Sequence, residues 1–303
     1  MKYDFIFPLI AAILAGAYFI GSEIFIRYFG EQVLIMAIII NFSGGICLGL
    51  FIKGKKKKLK KMPKKDIISL VICSIFIFGL AMVFFYKSIN LIGSAKSGFL
   101  AQVEPLFIAL LAVLFLKEKF NLKELPGLLL IFFGAVLLNF NWSSVSLSFG
   151  LGEIYAILTA LMFSVGIIIS SGLIKKYGAS LVTCIEMIFG GCLLSLFLII
   201  STVSINIYAI ICLIPLGFIY ALCWLFYNTG IKTAGASKTS IIYSTKAFFI
   251  LIFSYLITTF ASSLNVKIPL NIIPFLIGGI MIFFGIFILE KYKLKQSRKV
   301  EPL

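Results

Sequence analysis

The chain contains no histidine and only 11 acidic residues in 303. The missing imidazole removes histidine metal sites, serine–histidine nucleophilic triads and histidine proton relays together. Six cysteines are present (Cys47, Cys73, Cys184, Cys192, Cys212, Cys223), but all lie in apolar runs without metal-ligand spacing, so they read as free packing thiols. The glycines form no phosphate-binding loop with its lysine and hydroxyl, which argues against an ATP-driven machine. Long polar stretches are lacking too, and no soluble domain of independent size fits anywhere. These absences predict no cofactor and no metal.

What is present in abundance is apolar side chain. A mean hydropathy of +1.15, with 61% hydrophobic and 13% charged residues, excludes an ordinary soluble domain and predicts an all-α integral membrane protein. The opening Met1-Lys-Tyr-Asp leads into an apolar run from Phe5 to about Ile26. That run is too long for a signal-peptide core and has no cleavage site after it, so it reads as a retained first span. Crossing a bilayer takes roughly 20 apolar residues. Ten such runs appear, at 5–28, 33–52, 67–90, 95–116, 122–140, 150–174, 179–203, 207–230, 236–260 and 270–289.

A net charge of +16 would suit nucleic acid if it were spread over one surface. Instead, 9 of the 27 basic residues crowd the loop Lys53–Lys65 and five more the tail from Lys291 to Lys299. Juxtamembrane clusters of this kind set topology and touch anionic headgroups, so membrane lipid is the expected partner and nucleic acid is not. With the N-terminus in the cytoplasm, 22 basic residues fall inside, four (Arg27, Lys87, Lys96, Lys267) fall outside, and Lys246 lies within a span. This bias predicts cytoplasmic N- and C-termini in the plasma or inner membrane. The outer loop 139–149 is uncharged and carries Trp142 at the depth of an interfacial anchor.

The two halves repeat one another. Phe85-Tyr86 returns as Phe226-Tyr227, and Gly93-Ser-Ala-Lys-Ser as Gly235-Ala-Ser-Lys-Thr. Gly127 and Gly134 are matched by Gly278 and Gly285, seven apart in both copies, and Phe42-Ser-Gly-Gly resembles Phe189-Gly-Gly. Each match alone is weak; four in the same order predict a duplication, with repeats at 1–141 and 150–290 and a basic tail at 291–303. Five spans is an odd number, so the second copy enters the bilayer upside down. Inverted repeats are a hallmark of secondary transporters, whose site lies near the midplane between the repeats.

This arrangement resembles the drug/metabolite transporter superfamily, specifically its EamA-type members with ten spans in two repeats. The likeness is sharpest at Glu104-Pro105, the small and apolar residues after it, Lys117-Glu118, and Gly127 with Gly134. It runs almost the whole chain, though the second copy reads Lys246-Ala247 where the first reads Glu104-Pro105. The resemblance implies a carrier of small organic metabolites, often amino acids or amines and commonly outward. Proton coupling, and a monomeric or a dimeric state, are left open as further expectations.

Candidate site residues follow from charge in an apolar setting. Glu104 lies about ten residues, or ~15 Å, from the outer end of its helix, and Lys246 about as far from the inner end of its own. A charge at such depth faces protein or a cavity. The two either bind opposite ends of a zwitterion or pair with each other, and Glu104 also has a bland reading as support for its proline-adjacent turn. Pro105 reads as a gating kink or as tolerated packing. Glu186 and Glu23 are candidate coupling carboxylates; the first also fits an inner vestibule and the second an interfacial position, as does Glu153. Tyr220, Trp224 and Tyr227 fall on one helical face, and with Tyr86, Tyr18 and Tyr243 they line a pocket or pack a core. Asn90 and Asn228 are weaker candidates. Gly45 and Gly49 allow close helix approach, within the chain or between two copies.

The expected activity is alternating-access transport of a small zwitterion, amino acids first, because Lys246 would repel a plain organic cation. Organic cations or amines, and nucleoside-like solutes, are the alternative cargo. A non-transporting sensor or scaffold would lack a cavity between the repeats. An enzyme would have only carboxylate chemistry to work with.

Overall fold

The computed structural model describes residues 5–30, 32–50, 52, 62–104, 106–108, 110–111, 123, 125–141, 146–147, 149–198, 206–234, 239, 242–264, 266–267 and 272–300. It is helical throughout, apart from a minimal hairpin in which Phe140–Asn141 (β1) pairs antiparallel with Ser146–Leu147 (β2). Its helices are α1 (Ile6–Phe29), α2 (Val33–Leu50), α3 (Lys64–Ser74), α4 (Ala81–Leu100), α5 (Leu125–Asn139), α6 (Leu151–Tyr177), α7 (Ala179–Leu198), α8 (Ile207–Ala234), α9 (Lys246–Phe260) and α10 (Ile272–Val300). Among the described residues, seven helical runs are long and apolar enough to cross a bilayer, and Leu125–Leu137 and Phe275–Ile288 are shorter apolar helices.

Local chemistry explains the boundaries. α1 and α6 each end at a glycine of positive φ, Gly30 (φ 77°) and Gly178 (φ 93°), with Arg27 and the Lys175–Lys176 pair in their last turns opposite the negative helix ends. Glu153 begins α6 by accepting the Gly150 N–H at 3.0 Å. Pro63 sits before α3, where a missing N–H costs nothing.

The third and fourth expected spans are joined differently from the pattern read in the sequence. Lys64–Ile108 is one helical run with no loop, in which a single π-helical segment (Ile75–Leu80) links α3 to α4 and a 3-10 turn (Ala101–Val103) follows. Among its described residues the one break is Gly93, at φ 80° and ψ 165°. Ser88 and Ser97 lie nine residues apart yet their hydroxyls hydrogen-bond at 2.6 Å, so the chain folds back on itself there. A straight helix would separate them by about 13 Å. One glycine therefore does the work of a loop, and a Cβ at position 93 would also meet Lys267 Cβ at 2.7 Å.

The matched glycines make reciprocal contacts between α5 and α10. A Cβ on Gly134 would meet the Gly278 carbonyl oxygen at 2.6 Å, and one on Gly285 would meet the Gly127 carbonyl oxygen at 2.6 Å. Ile282 crowds Gly134 as Ile131 crowds Gly285, each through Cγ1 at 2.8 Å. Such i-to-j and j-to-i contact is the mark of a two-fold relation between antiparallel helices. Where both lipid and core are apolar, this close backbone approach supplies the packing energy. Replacing Gly134 by Val is expected to cost at least about 2 kcal/mol through overpacking, read as a lower unfolding midpoint in detergent. Replacing Gly172, which has nothing within 4 Å, leaves the midpoint unchanged.

Candidate functional site

Between α1, α4, α6, α8 and α9 lies a cavity with a volume of about 30 Å³. Each helix turns a 3.6-period face to it: Ala15, Tyr18 and Phe19 from α1, Thr159, Phe163 and Ile167 from α6, and Tyr220, Cys223, Trp224 and Tyr227 from α8. Tyr243 comes from the turn before α9, Lys246 from its first residue, and Glu104 from just beyond the 3-10 turn.

The aromatic rings form one connected layer. Tyr18 and Tyr220 stack with centroids 4.5 Å apart, Trp224 stands edge-on to Tyr227 at 5.6 Å, and Tyr227 meets Tyr243 at 4.6 Å. Offset and edge contacts of this kind hold rings more firmly than their burial alone. The Lys246 ammonium lies over the Tyr243 ring, 4.3 Å from its centroid.

Glu104 and Lys246 reach the same cavity without closing an ion pair. Among the described residues, the pairs within 4.0 Å are Glu23–Arg27, Glu153–Lys96 and Asp66–Lys176. Ser164 donates to the Glu104 backbone carbonyl at 3.0 Å, tying that turn to α6. Two residues before Glu104, Gln102 donates to the Ser244 carbonyl at 2.6 Å across a sequence separation of 142. That is also the separation of Glu104 from Lys246, so the bond joins matched points of the two halves.

Of the residues expected at a site, Glu104, Lys246, Tyr18, Tyr220, Trp224, Tyr227 and Tyr243 line this cavity. Tyr86 stands behind the wall, fully buried, with its hydroxyl bonded to that of Tyr18. Pro105 lies outside the described residues. Asn228 donates to Thr183 at 2.7 Å beside the cavity. Phe163, Thr159 and Cys223 line the wall without having stood out in the sequence; on all-apolar helices no periodicity marks which face looks inward. All six cysteines are free thiols, and Cys223 lies 3.6 Å from the Tyr243 hydroxyl.

Glu23 lies away from the wall and fully buried. Its carboxylate accepts the Ser94 N–H at 2.7 Å and the Lys267 N–H at 2.8 Å, with Arg27 at 3.5 Å. The Lys267 ammonium in turn donates to the carbonyls of Leu91 (2.7 Å) and Asn90 (3.1 Å). The break at Gly93 exposes a negative helix end before it and a positive one after it, and this cation and this anion cap them in that order. Burial pushes the Lys267 ammonium below the usual lysine range; Arg27 pushes the same way and Glu23 opposes both. Glu153 closes the same end of the bundle through Lys96 at 2.6 Å.

Glu186 is buried between α3, α6 and α7. Ser170 donates to it at 2.6 Å, and Cys73 lies nearby on α3.

A cavity between repeat-related helices with one acid and one base in its wall is the geometry of a carrier, and comparison with known proteins agrees. The model of the EamA-like transporter family matches residues 3–140 and again 150–290. The chain belongs to the EamA-like transporter family. It is similar to an "Uncharacterized transporter" of Clostridium kluyveri, 24% identical over 294 residues that cover 93% of each chain. It is also similar to the "Uncharacterized transporter YyaM" of Bacillus subtilis, 25% identical over 301 residues covering 93% of this chain and 90% of that one. A solved structure titled "Crystal structure of protein" superposes with a TM-score of 0.65 over 99% of this chain and all of its own, at 15% identity. At that identity the likeness concerns the fold alone. This EamA-like protein is accordingly a multi-pass membrane transporter, and a transporter is not an enzyme.

Proposed function

We propose that this EamA-like transporter carries small zwitterionic metabolites, amino acids first, across the cell membrane by alternating access. The observation that carries the reading is the placement of Glu104 and Lys246, repeat-equivalent and opposite in charge, in the wall of one cavity without an ion pair between them. The carboxylate takes the substrate's ammonium and the lysine its carboxylate. Two opposite charges held in apolar spans without an ion pair are costly, so a ligand that satisfies both repays that cost on arrival.

The proposed architecture has ten spans, the run Lys64–Ile108 supplying two of them because it reverses at Gly93. They form inverted repeats at 1–141 and 150–290, with both termini and the 291–303 tail in the cytoplasm. The reciprocal α5–α10 glycine contacts and the Gln102–Ser244 bond support the inversion. The basic 53–65 loop would rest on anionic headgroups, and Glu186 is the preferred carboxylate for proton coupling. The ring layer favours a second cargo class, flat nucleoside-like or amine-bearing solutes. A scaffold has no use for the cavity.

The test is thermal stabilisation of purified protein by a panel of amino acids, amines and nucleosides, repeated on Lys246→Met and Glu104→Gln. A ligand at 100 times its Kd adds about 2.7 kcal/mol to the folded state. An amino acid is expected to stabilise the wild type and neither variant. Equal stabilisation of all three proteins would remove both charges from the site.

A further inference from the structure

The cavity of this transporter already holds a cation, its own. The Lys246 ammonium, on a side chain only 6% exposed, lies 4.3 Å from the centre of the Tyr243 ring. Tyr227 packs against that ring at 4.6 Å and Trp224 against Tyr227 at 5.6 Å. An aromatic face under a cation, with a carboxylate in the same cavity wall, is the chemistry that recognises organic ammonium ligands. Here the cationic position is taken by a side chain of the protein, and Glu104 supplies the carboxylate.

We propose that Lys246 is a tethered occupant of an aromatic cation site on the face of Tyr243, and that it sets specificity by excluding organic cations from a site otherwise able to hold them. The inference rests on reading this cavity as the substrate site. It adds that selectivity against cations comes from occupancy as well as from charge. An incoming ammonium must displace Lys246 from the ring and remain beside it. An incoming carboxylate meets the ammonium where it stands. Removing the lysine charge while keeping Glu104 therefore uncovers an aromatic cation site with an acid in the same wall, and a loss of one ligand class becomes a gain of another.

Tetramethylammonium is the probe, because it has the cation's charge and shape and no hydrogen-bond donor. Binding is read by thermal stabilisation and by Trp224 emission in a Trp142→Phe background, where Trp224 is the one tryptophan left. Lys246→Met is expected to bind tetramethylammonium at least tenfold tighter than the wild type. Adding Glu104→Gln or Tyr243→Leu to it is expected to remove the gain. Lys246→Gln, polar and closer to lysine in its hydration, provides the same reading if the methionine variant folds poorly. Equal binding to wild type and variants overturns the proposal, as does no binding to any of them. The amino-acid panel on the wild type separates the two readings. Stabilisation there with no gain in the variants leaves the zwitterion site standing and the cation site overturned. A gain in the variants without amino-acid binding upholds the cation site and overturns the zwitterion site.

Discussion

Glu23→Ala is expected to lower stability by about 3–5 kcal/mol, the cost typical of removing one member of a buried charged network. The carboxylate is fully buried and satisfies the N–H groups of Ser94 and Lys267 as well as the Arg27 guanidinium. Alanine leaves the two N–H groups without their acceptor and Arg27 without its counter-charge. It also loosens Lys267, whose ammonium caps the Asn90 and Leu91 carbonyls at the end of the preceding helical arm. Glutamine is expected to fall between the two proteins. Its carbonyl can accept one of the N–H groups, but its NH2 then faces the other, donor against donor. The measurement is the unfolding midpoint in detergent together with the yield of monodisperse protein. A Glu23→Ala protein as stable as the wild type, with transport that no longer responds to pH, would instead make Glu23 the coupling carboxylate.

The same corner shows where the sequence could and could not be read. Glycines at 93 and 235, each followed by small residues and a lysine, flagged matched points in two repeats. Nothing in the pattern said that the first would reverse the chain without a loop. That depends on Glu23 and Lys267, 70 residues before Gly93 and 174 after it, arriving to cap the two ends it exposes. Span positions were legible because crossing hydrocarbon demands long apolar runs, and α1, α2, α6, α7 and α8 begin within a residue or so of their expected starts. Cavity-facing positions were legible only where a residue is out of place in hydrocarbon, as Glu104 and Lys246 are, or where aromatics recur at helical spacing, as in Tyr220, Trp224 and Tyr227. Phe163 and Thr159 gave no signal because the lipid-facing and cavity-facing sides of α6 are both apolar. Tyr86 misled for the related reason that a repeat match places a residue at a depth and says nothing about which layer of the wall it occupies.

Glu186→Gln is expected to reduce substrate accumulation driven by a pH gradient by tenfold or more, while exchange of substrate between equilibrated compartments continues. The argument is positional. The Asp66–Lys176 pair, with Tyr177 also donating to Asp66, lies where α3 begins and α6 ends, and the Lys176 side chain is 56% exposed. Cys73 lies seven residues beyond Asp66 on α3, and Ser170 seven residues before Tyr177 on α6. Two helical turns along both helices, about 10 Å, therefore separate an exposed polar group from Ser170, which donates to Glu186, and from Cys73 near it. On its other side, Thr183, one turn away on α7, accepts a hydrogen bond from Asn228, the neighbour of the cavity residue Tyr227. The carboxyl thus sits two turns in from an exposed ion pair and beside the helix that carries the ring layer. A proton held there changes the charge between α6 and α7 without entering the substrate's space. Glutamine keeps the shape and the Ser170 hydrogen bond and removes the titration, so it separates carrying a proton from supporting the fold. Gradient-driven uptake that survives the substitution would assign Glu186 to packing. Loss of exchange and of thermal stability together would assign it to the fold.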